Sequence, residues 1–481
     1  MKHFKNSPML AIVIVALLVC SFATMATANN VAPTKNIFAE RPLIHILGPS
    51  PAIVPSADRS APDSSVLESC DVLKDTDGTW YWYYHAISHV DDYGGSYRIC
   101  VATAKNPLGP WTKYEDNPVL ELGEEGEWDH WGDACAVIMK EGAYNIRERN
   151  ATYYMWYWAG EMGLATADNP LGPWKKYEGN PIMSWEEEGG NYPGSVTKIG
   201  DTFYMFVQAP TDVEDQGPFC LATAPRPEGP WKKYEWNPVM TNGDWGAWDD
   251  GGFSEAAARY HEGVYHCIYG GTKARKVESL GYAWSFDAIN WHKYQANPVV
   301  PLSRIPDASG FAEVHCFVEG AYIYVFHTLR YYTGEGTARG LKSFPGWQTE
   351  DLAVQVLTID PHFNIAFPIL HDISLDGGQS TRLAECLPIG LEAASTLALT
   401  TECTYDDDAR AGLRLHVRAS TDGVDCDTVD LYTIDLPVEP GETVKKTVEF
   451  KPSVKFAKVS VENLDSSEDV DSVTVTATVG N

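Results

Sequence analysis

What this chain lacks narrows it first. After residue 28 no apolar run is long enough to cross a bilayer as a helix, and no stretch sustains a convincing helical period. The ten cysteines form no C-x-x-C pair and keep no regular spacing, so no disulfide framework can be read from them. Most read as small buried apolar residues, with Cys386, Cys403 and Cys426 as the candidates for a disulfide in the tail. Basic residues are scarce: 36 Lys and Arg against 66 Asp and Glu leave a net charge of −30. That balance argues against nucleic acid or acidic polymers as partners and suits neutral sugars or a solvated acidic surface.

The chain opens with a basic end (Lys2, Lys5), an apolar run from Met9 to Val19 and small residues up to Ala26-Thr27-Ala28. This pattern is that of a secretory signal peptide over residues 1–28. A lipid anchor at Cys20 is disfavoured because Leu17-Leu18-Val19 offers no small residue just before it. The expected product is exported, secreted or periplasmic, with no membrane partner. Residues 29–62 are Pro-rich and read as an extended lead-in segment.

One stretch is written repeatedly. Ala102-Thr103-Ala104-Lys105-Asn106-Pro107-Leu108-Gly109-Pro110-Trp111-Thr112-Lys113-Tyr114, followed by Asn117-Pro118, returns from Ala165, from Ala222 and, worn, from Ala283. Trp111, Trp174, Trp231 and Trp291 lie 63, 57 and 60 residues apart, and a period this long marks a repeat architecture. Each unit reads as four short strands: a small or acidic opening, a turn such as Asp77-Gly78, an aromatic strand such as Trp80–Tyr84, a strand ending in Ala-Thr-Ala, and the Gly-Pro-Trp-x-Lys-Tyr strand. A fifth unit keeps the opening Gly310–His315 and the strand Tyr322–Phe326 but not the Asn-Pro signature. Five such units over 63–365 describe an all-β, five-bladed β-propeller. Its repeated tryptophans are expected to pack between blades. Asn145–Ala151 reads as a surface insertion with a glycosylation sequon at Asn150. From 366 to 481 alternating segments such as Leu413-Arg414-Leu415-His416-Val417 predict a C-terminal β-sandwich in an accessory role.

In a propeller the first strand of each blade lines the axis, so residues at its start converge. Aligning the units puts Glu68, Asp133, Glu255 and Glu313 in one column, with Pro193 in the third unit. Converging carboxylates raise one another's pKa, which a repeat does not need for stability. Glycoside hydrolysis does need it, one carboxyl protonated to serve the leaving oxygen and one ionised to activate water or attack carbon. Asp71 is a further candidate on the first strand. Glu313 and His315, two apart on one strand, share a face suited to a substrate hydroxyl, an axial ion or plain hydrogen bonding. Trp131, Tyr192 and Phe253 stand beside the column as sugar-stacking platforms, and Asp250 is a candidate substrate contact. Asp129 and Asp249 read as turn caps. No cofactor is required; a structural calcium or sodium ion in the channel is the one ion considered.

The Trp-Asp-x-x-Gly openings (Trp128 to Gly132, Trp248 to Gly252), the Asp-Gly-x-aromatic turn and the Ala-Thr-Ala to Asn-Pro strand resemble the five-bladed glycoside hydrolases, the superfamily of families 43, 32, 62, 68, 117 and 130, and family 43 most in pattern. The resemblance covers 62 to about 360. It implies Glu255 as general acid and a base at Glu68 or Asp71, neither of them in the family's Asp-Pro setting. The family's modulating Asp would fall near Asn191–Pro193, where no carboxylate stands, so Asp133 is the substitute. The implied activity is hydrolysis of plant or algal oligo- or polysaccharides, arabinofuranosides among them. The alternatives are a glycoside phosphorylase, which would need a basic pocket, and a non-catalytic carbohydrate-binding propeller.

Overall fold

The computed structural model describes residues 35–88, 96–140, 152–183, 193–208, 219–273, 276–331, 349–451 and 453–481; of Ser254, Glu255 and a few strand residues near 275 and 349 it describes the backbone alone. The signal peptide, the sequon at Asn150, and Tyr192 lie outside the described residues. Residues Ile37–Asn481 form one compact unit. Its described part is all-β with two short 3-10 turns, and no described helix is long and apolar enough to cross a membrane.

After β1 (Ile44–Leu47), four antiparallel meanders of four strands follow in chain order. The first is β2 (Val66–Lys74), β3 (Trp80–Ile87), β4 (Arg98–Ala104) and β5 (Thr112–Lys113). The second is β6 (Ala134–Lys140), β7 (Tyr153–Trp158), β8 (Met162–Ala167) and β9 (Lys175–Lys176). The third is β10 (Pro193–Ile199), β11 (Thr202–Gln208), β12 (Phe219–Ala224) and β13 (Lys232–Lys233). The fourth is β14 (Phe253–His261), β15 (Val264–Lys273), β16 (Lys276–Ser285) and β17 (Trp291–Lys293), with β18 (Val300–Pro301) added on β16. A fifth antiparallel set holds β19 (Gly310–Glu319), β20 (Tyr322–Tyr331) and β21 (Thr349–Thr358), takes its outer strand from β1 at the other end of the chain, and joins the first set through one parallel pair, Val66 with Glu350. Neighbouring first strands touch in a closed ring: β2 beside β6, β6 beside β10, β10 beside β14, β14 beside β19, and β19 beside β2.

The repeated stretch explains how each outer strand is fastened. Asn117 accepts from the Val101 amide at 2.9 Å and donates to its carbonyl at 3.0 Å. Asn180 does this to Leu164, Asn237 to Leu221 and Asn297 to Tyr282. A short amide side chain thus supplies the strand pairing that the following proline, lacking an N–H, cannot. The lysine of Trp-x-Lys reaches an aspartate on the loop entering its sheet: Lys113 to Asp63 at 2.7 Å, Lys176 to Asp129 at 2.5 Å, Lys293 to Asp249 at 2.6 Å. Tyr84, Tyr157 and Tyr269 hydroxyls donate to the same aspartates. Each repeated tryptophan also meets the preceding sheet: Trp111 meets Phe326, Trp174 Tyr83, Trp231 Trp156 and Trp291 Phe206.

The C-terminal segment forms two four-stranded sheets. One joins β22 (Asn364–Leu375), β29 (Val470–Gly480), β24 (Thr396–Tyr405) and β27 (Thr443–Phe450); the other joins β23 (Ile389–Gly390), β28 (Phe456–Asn463), β25 (Leu413–Ser420) and β26 (Tyr432–Asp435). Strict burial alternation along β24 puts Leu397, Leu399 and Cys403 inward, as a half-exposed strand requires. The two sheets share one apolar cluster, which runs on through Trp82 of β3, Leu108 of the β4–β5 turn and Val354 of β21. The nine described cysteines are free thiols, Cys386 and Cys403 buried among them, so the pairing considered for the tail is not formed.

Candidate functional site

Every first strand carries a register shift near its start, between Ser69 and Asp71, Ala134 and Val137, Pro193 and Ser195, Ser254 and Ala256, and Ala312 and Val314. Such bulges turn side chains off the regular alternation. Cys135 (φ 50°) and Glu313 (φ 28°) take positive φ at these points. Around them lies one small pocket lined by Ser69, Cys135, Pro193, Gly194, Ala256, Glu313, Val314 and His315, so all five first strands contribute.

The acids aligned in one column by sequence do not hold one ladder position. Glu68 pairs opposite His85, whereas Glu255 and Glu313 fall within the register shifts and Asp133 precedes its strand. Glu68 and Glu313 do converge: Arg330 Nη2 lies 3.5 Å from Glu68 and 3.8 Å from Glu313. Arg330 Nε donates to Glu350 at 2.7 Å. His85 joins Glu68 through Nε2 at 2.5 Å, and its Nδ1 accepts from the Cys135 amide at 3.2 Å and lies 3.2 Å from the Cys70 thiol. Tyr97 packs edge-on against His85 at 4.7 Å. Glu68, His85 and Glu350 are buried almost completely.

Burial alone pushes the Glu68 carboxyl up, but His85, a hydrogen bond from Glu350 and Arg330 outweigh it and hold Glu68 down at about 2. Glu350 moves the other way, raised well above the usual carboxylate range by burial and by the Glu68 charge. Burial depresses the His85 imidazole, and the neighbouring Cys70 and Glu68 outweigh it and raise it above the ordinary range. His315, fully buried, is lowered to about 4 by burial and is neutral at pH 7.

The remaining candidates sit elsewhere. Asp133 is wholly buried beside Lys176 (3.7 Å), which already pairs with Asp129; burial raises its carboxyl to about 8. Asp71 is taken up structurally, accepting from Arg259 Nη2 at 2.6 Å and from the Ile138 amide at 2.9 Å. It thereby ties the first, second and fourth sheets. Asp250 caps a turn, its carboxylate accepting from the Gly246 amide at 2.7 Å. Phe253 corrects the stacking expectation: it is 1% exposed, edge-on to Tyr269 with Lys293 over its ring, and has no open face for a sugar. Trp131 does have one, at 72% exposed. Of Glu255 only the backbone is described, and the next residue, Ala256, lines the pocket.

Sequence reasoning missed Arg330, Glu350, His85 and Tyr97, because it read only first strands. Arg330 and Glu350 are direct partners across β20 and β21, and an arginine closing the strand that opens with the apolar run Tyr322–Phe326 was the available signal. Among the described residues no group of three His, Cys, Asp or Glu is placed to hold a metal.

No family model and no curated protein matches the sequence. Solved structures with a similar fold include three glycoside hydrolases. A Bacillus subtilis family 43 arabinoxylan arabinofuranohydrolase, solved with cellotetraose, is 13% identical over 88% of this chain and 98% of its own, at TM-score 0.40. A Phanerochaete chrysosporium exo-β-1,3-galactanase, solved with β-1,3-galactotriose, is 12% identical over 90% and 100%, at 0.41. A Bombyx mori family 32 β-fructofuranosidase is 10% identical over 89% and 94%, at 0.43. At such identities and TM-scores the likeness assigns no activity or substrate to this chain.

Proposed function

We propose that the chain is an exported glycoside hydrolase acting on plant or algal oligo- or polysaccharides. On this reading the five sheets over 63–365 are the blades of a five-bladed β-propeller, closed by β1, and 366–481 is a β-sandwich with an accessory role. The closed ring of first strands and the passage of each repeated tryptophan to the preceding sheet support that architecture.

The observation that carries the activity is the convergence of buried carboxyls beside a pocket to which all five first strands contribute: Glu68, Glu313 and Glu350 meet on the one Arg330 guanidinium. Cleavage of a glycosidic bond requires a carboxyl that gives a proton to the leaving oxygen and a carboxylate that activates water or attacks the anomeric carbon. Glu68 supplies the carboxylate, adjoining the pocket through Ser69. Glu255 supplies the acid at the bulge of β14. Trp131 offers the exposed ring on which a sugar stacks. The phosphorylase alternative gains nothing, since Arg330 is already faced by three carboxyls.

The test is a screen of aryl glycosides and plant and algal oligosaccharides with the wild type, Glu255→Gln and Glu68→Gln. Each substitution is expected to lower kcat by about 100-fold or more. Undiminished turnover in Glu255→Gln removes it from the mechanism. Saturable sugar binding without turnover makes the chain a binding module instead.

A further inference from the structure

Glu350 lies outside every acid the repeat alignment collects, on the third strand of the fifth sheet, yet it is buried against the candidate carboxylate. One of its oxygens takes the Arg330 Nε–H at 2.7 Å. The other, Oε2, meets no N–H or O–H donor among the described residues, while the Glu68 carboxyl sits on the same guanidinium, its Oε1 3.5 Å from Arg330 Nη2. Two carboxylates are both acceptors, and facing one another without a donor they would repel. A proton between them makes one a donor and removes the conflict, as in paired acids that share a site.

The surrounding charges agree. Arg330 from β20 bridges Glu350 to Glu68 from β2 and Glu313 from β19, with His85 from β3 on Glu68 and Tyr97, before β4, against His85. Among these described groups three carboxyls meet one guanidinium and one imidazole. The Cys135 amide donates to His85 Nδ1, which leaves Nε2 as the ring's donor to Glu68 and the ring without a charge of its own, so three buried carboxyls face one guanidinium and at least one of them must carry a proton. Arg330 favours the ionised form of whichever acid it touches, and His85 at 2.5 Å fixes that charge on Glu68.

We infer that Glu350 is a positioning residue of this pocket: it carries the proton it shares with Glu68 and so holds Glu68 as the ionised, oriented member of the pair. The kinetic consequence rests on the hydrolase reading; the protonation state does not. Loss of the Glu350 proton at high pH places a second negative charge against Glu68, so Glu350 sets the alkaline limit of the site.

The experiment uses the full chain as wild type, Glu350→Gln and Glu350→Ala. Gln copies the neutral, donating form of Glu350. Infrared difference spectra at pH 7, wild type minus Glu350→Gln, are expected to contain one C=O stretch of a protonated carboxylic acid, shifted in D2O. Denaturation across pH 5–9 should find wild-type stability falling as pH rises, with a shallower fall in Glu350→Gln. Both follow from a raised folded-state pKa: below the ordinary glutamate range folded and unfolded chains are protonated alike, and above it only the unfolded chain gains by ionising. Glu350→Ala, which leaves Arg330 short of a partner, should be less stable at every pH. A difference spectrum without the acid band, or a Glu350→Gln stability curve merely displaced downward in parallel, overturns the inference and leaves Glu350 as an ordinary ion-pair partner. On a substrate found by the screen, Glu350→Gln should shift the alkaline limb of kcat upward by about one pH unit or more; an unmoved limb also overturns it. Absence of turnover on every sugar removes the hydrolase reading and leaves the spectroscopic result to decide.

Discussion

At the scale of single residues, carboxyls of one kind have been driven to opposite states by their neighbours. Asp133 is raised to about 8 because burial strips its water while Lys176, committed to Asp129 at 2.5 Å, stands 3.7 Å away. A raised carboxyl contributes stability that is whole below its unfolded pKa and is lost as pH climbs to the folded value. Wild-type stability should therefore fall between about pH 4 and 8, by up to several kcal/mol, and Asp133→Asn should flatten that part of the curve; urea denaturation at pH 5 and pH 8 measures it. Glu68 behaves inversely. Held at about 2, it contributes stability above the ordinary glutamate range that disappears as pH falls toward 2, so Glu68→Gln should lose its penalty in acid.

At the scale of elements, the side-chain latch does work that backbone pairing cannot. The outer strands β5, β9 and β13 are two residues long, too short to hold by their own ladder. Asn180→Ala removes two hydrogen bonds to Leu164 and is expected to cost about 1–3 kcal/mol in chemical denaturation. Lys293→Met should cost more, about 3–5 kcal/mol, because Asp249 is 3% exposed and would be left with the Tyr269 hydroxyl in place of its cation. If Lys293→Met is no worse than Asn180→Ala, the latch is not electrostatic in origin.

At the scale of the whole molecule, the chain ends of the ring are fastened by β1, whose Ile44 to Leu47 pair with Thr358 to Gln355. Closure by a strand from the far end removes the sheet edge that β21 would otherwise present. Ile46 is 3% exposed in the cluster that also holds Leu352, Val356 and the C-terminal sheets, so its loss is felt in both parts. Ile46→Ala should lower stability by about 2–5 kcal/mol. Removal of residues 37–48 should broaden thermal unfolding and expose β21; circular dichroism and size-exclusion chromatography read the two effects.

The sequence by itself determined the repeat and the strands. A period near 60 residues, Asp-Gly turns and alternating apolar residues are local signals, each readable without knowing what lies across the sheet. It also placed the outer-strand tryptophans between sheets, because so large an apolar ring must be covered by a neighbour. What it left open was register. A bulge shifts side-chain direction by one residue and has no fixed sequence mark, so Glu68, Asp133 and Glu313 looked equivalent and are not. Only the tertiary structure brought Arg330 and Glu350 from β20 and β21 onto Glu68, some 260 residues earlier in the chain, and only burial there decided which carboxyl is ionised. Chain distance carries no information about that meeting; the closed ring of strands creates it.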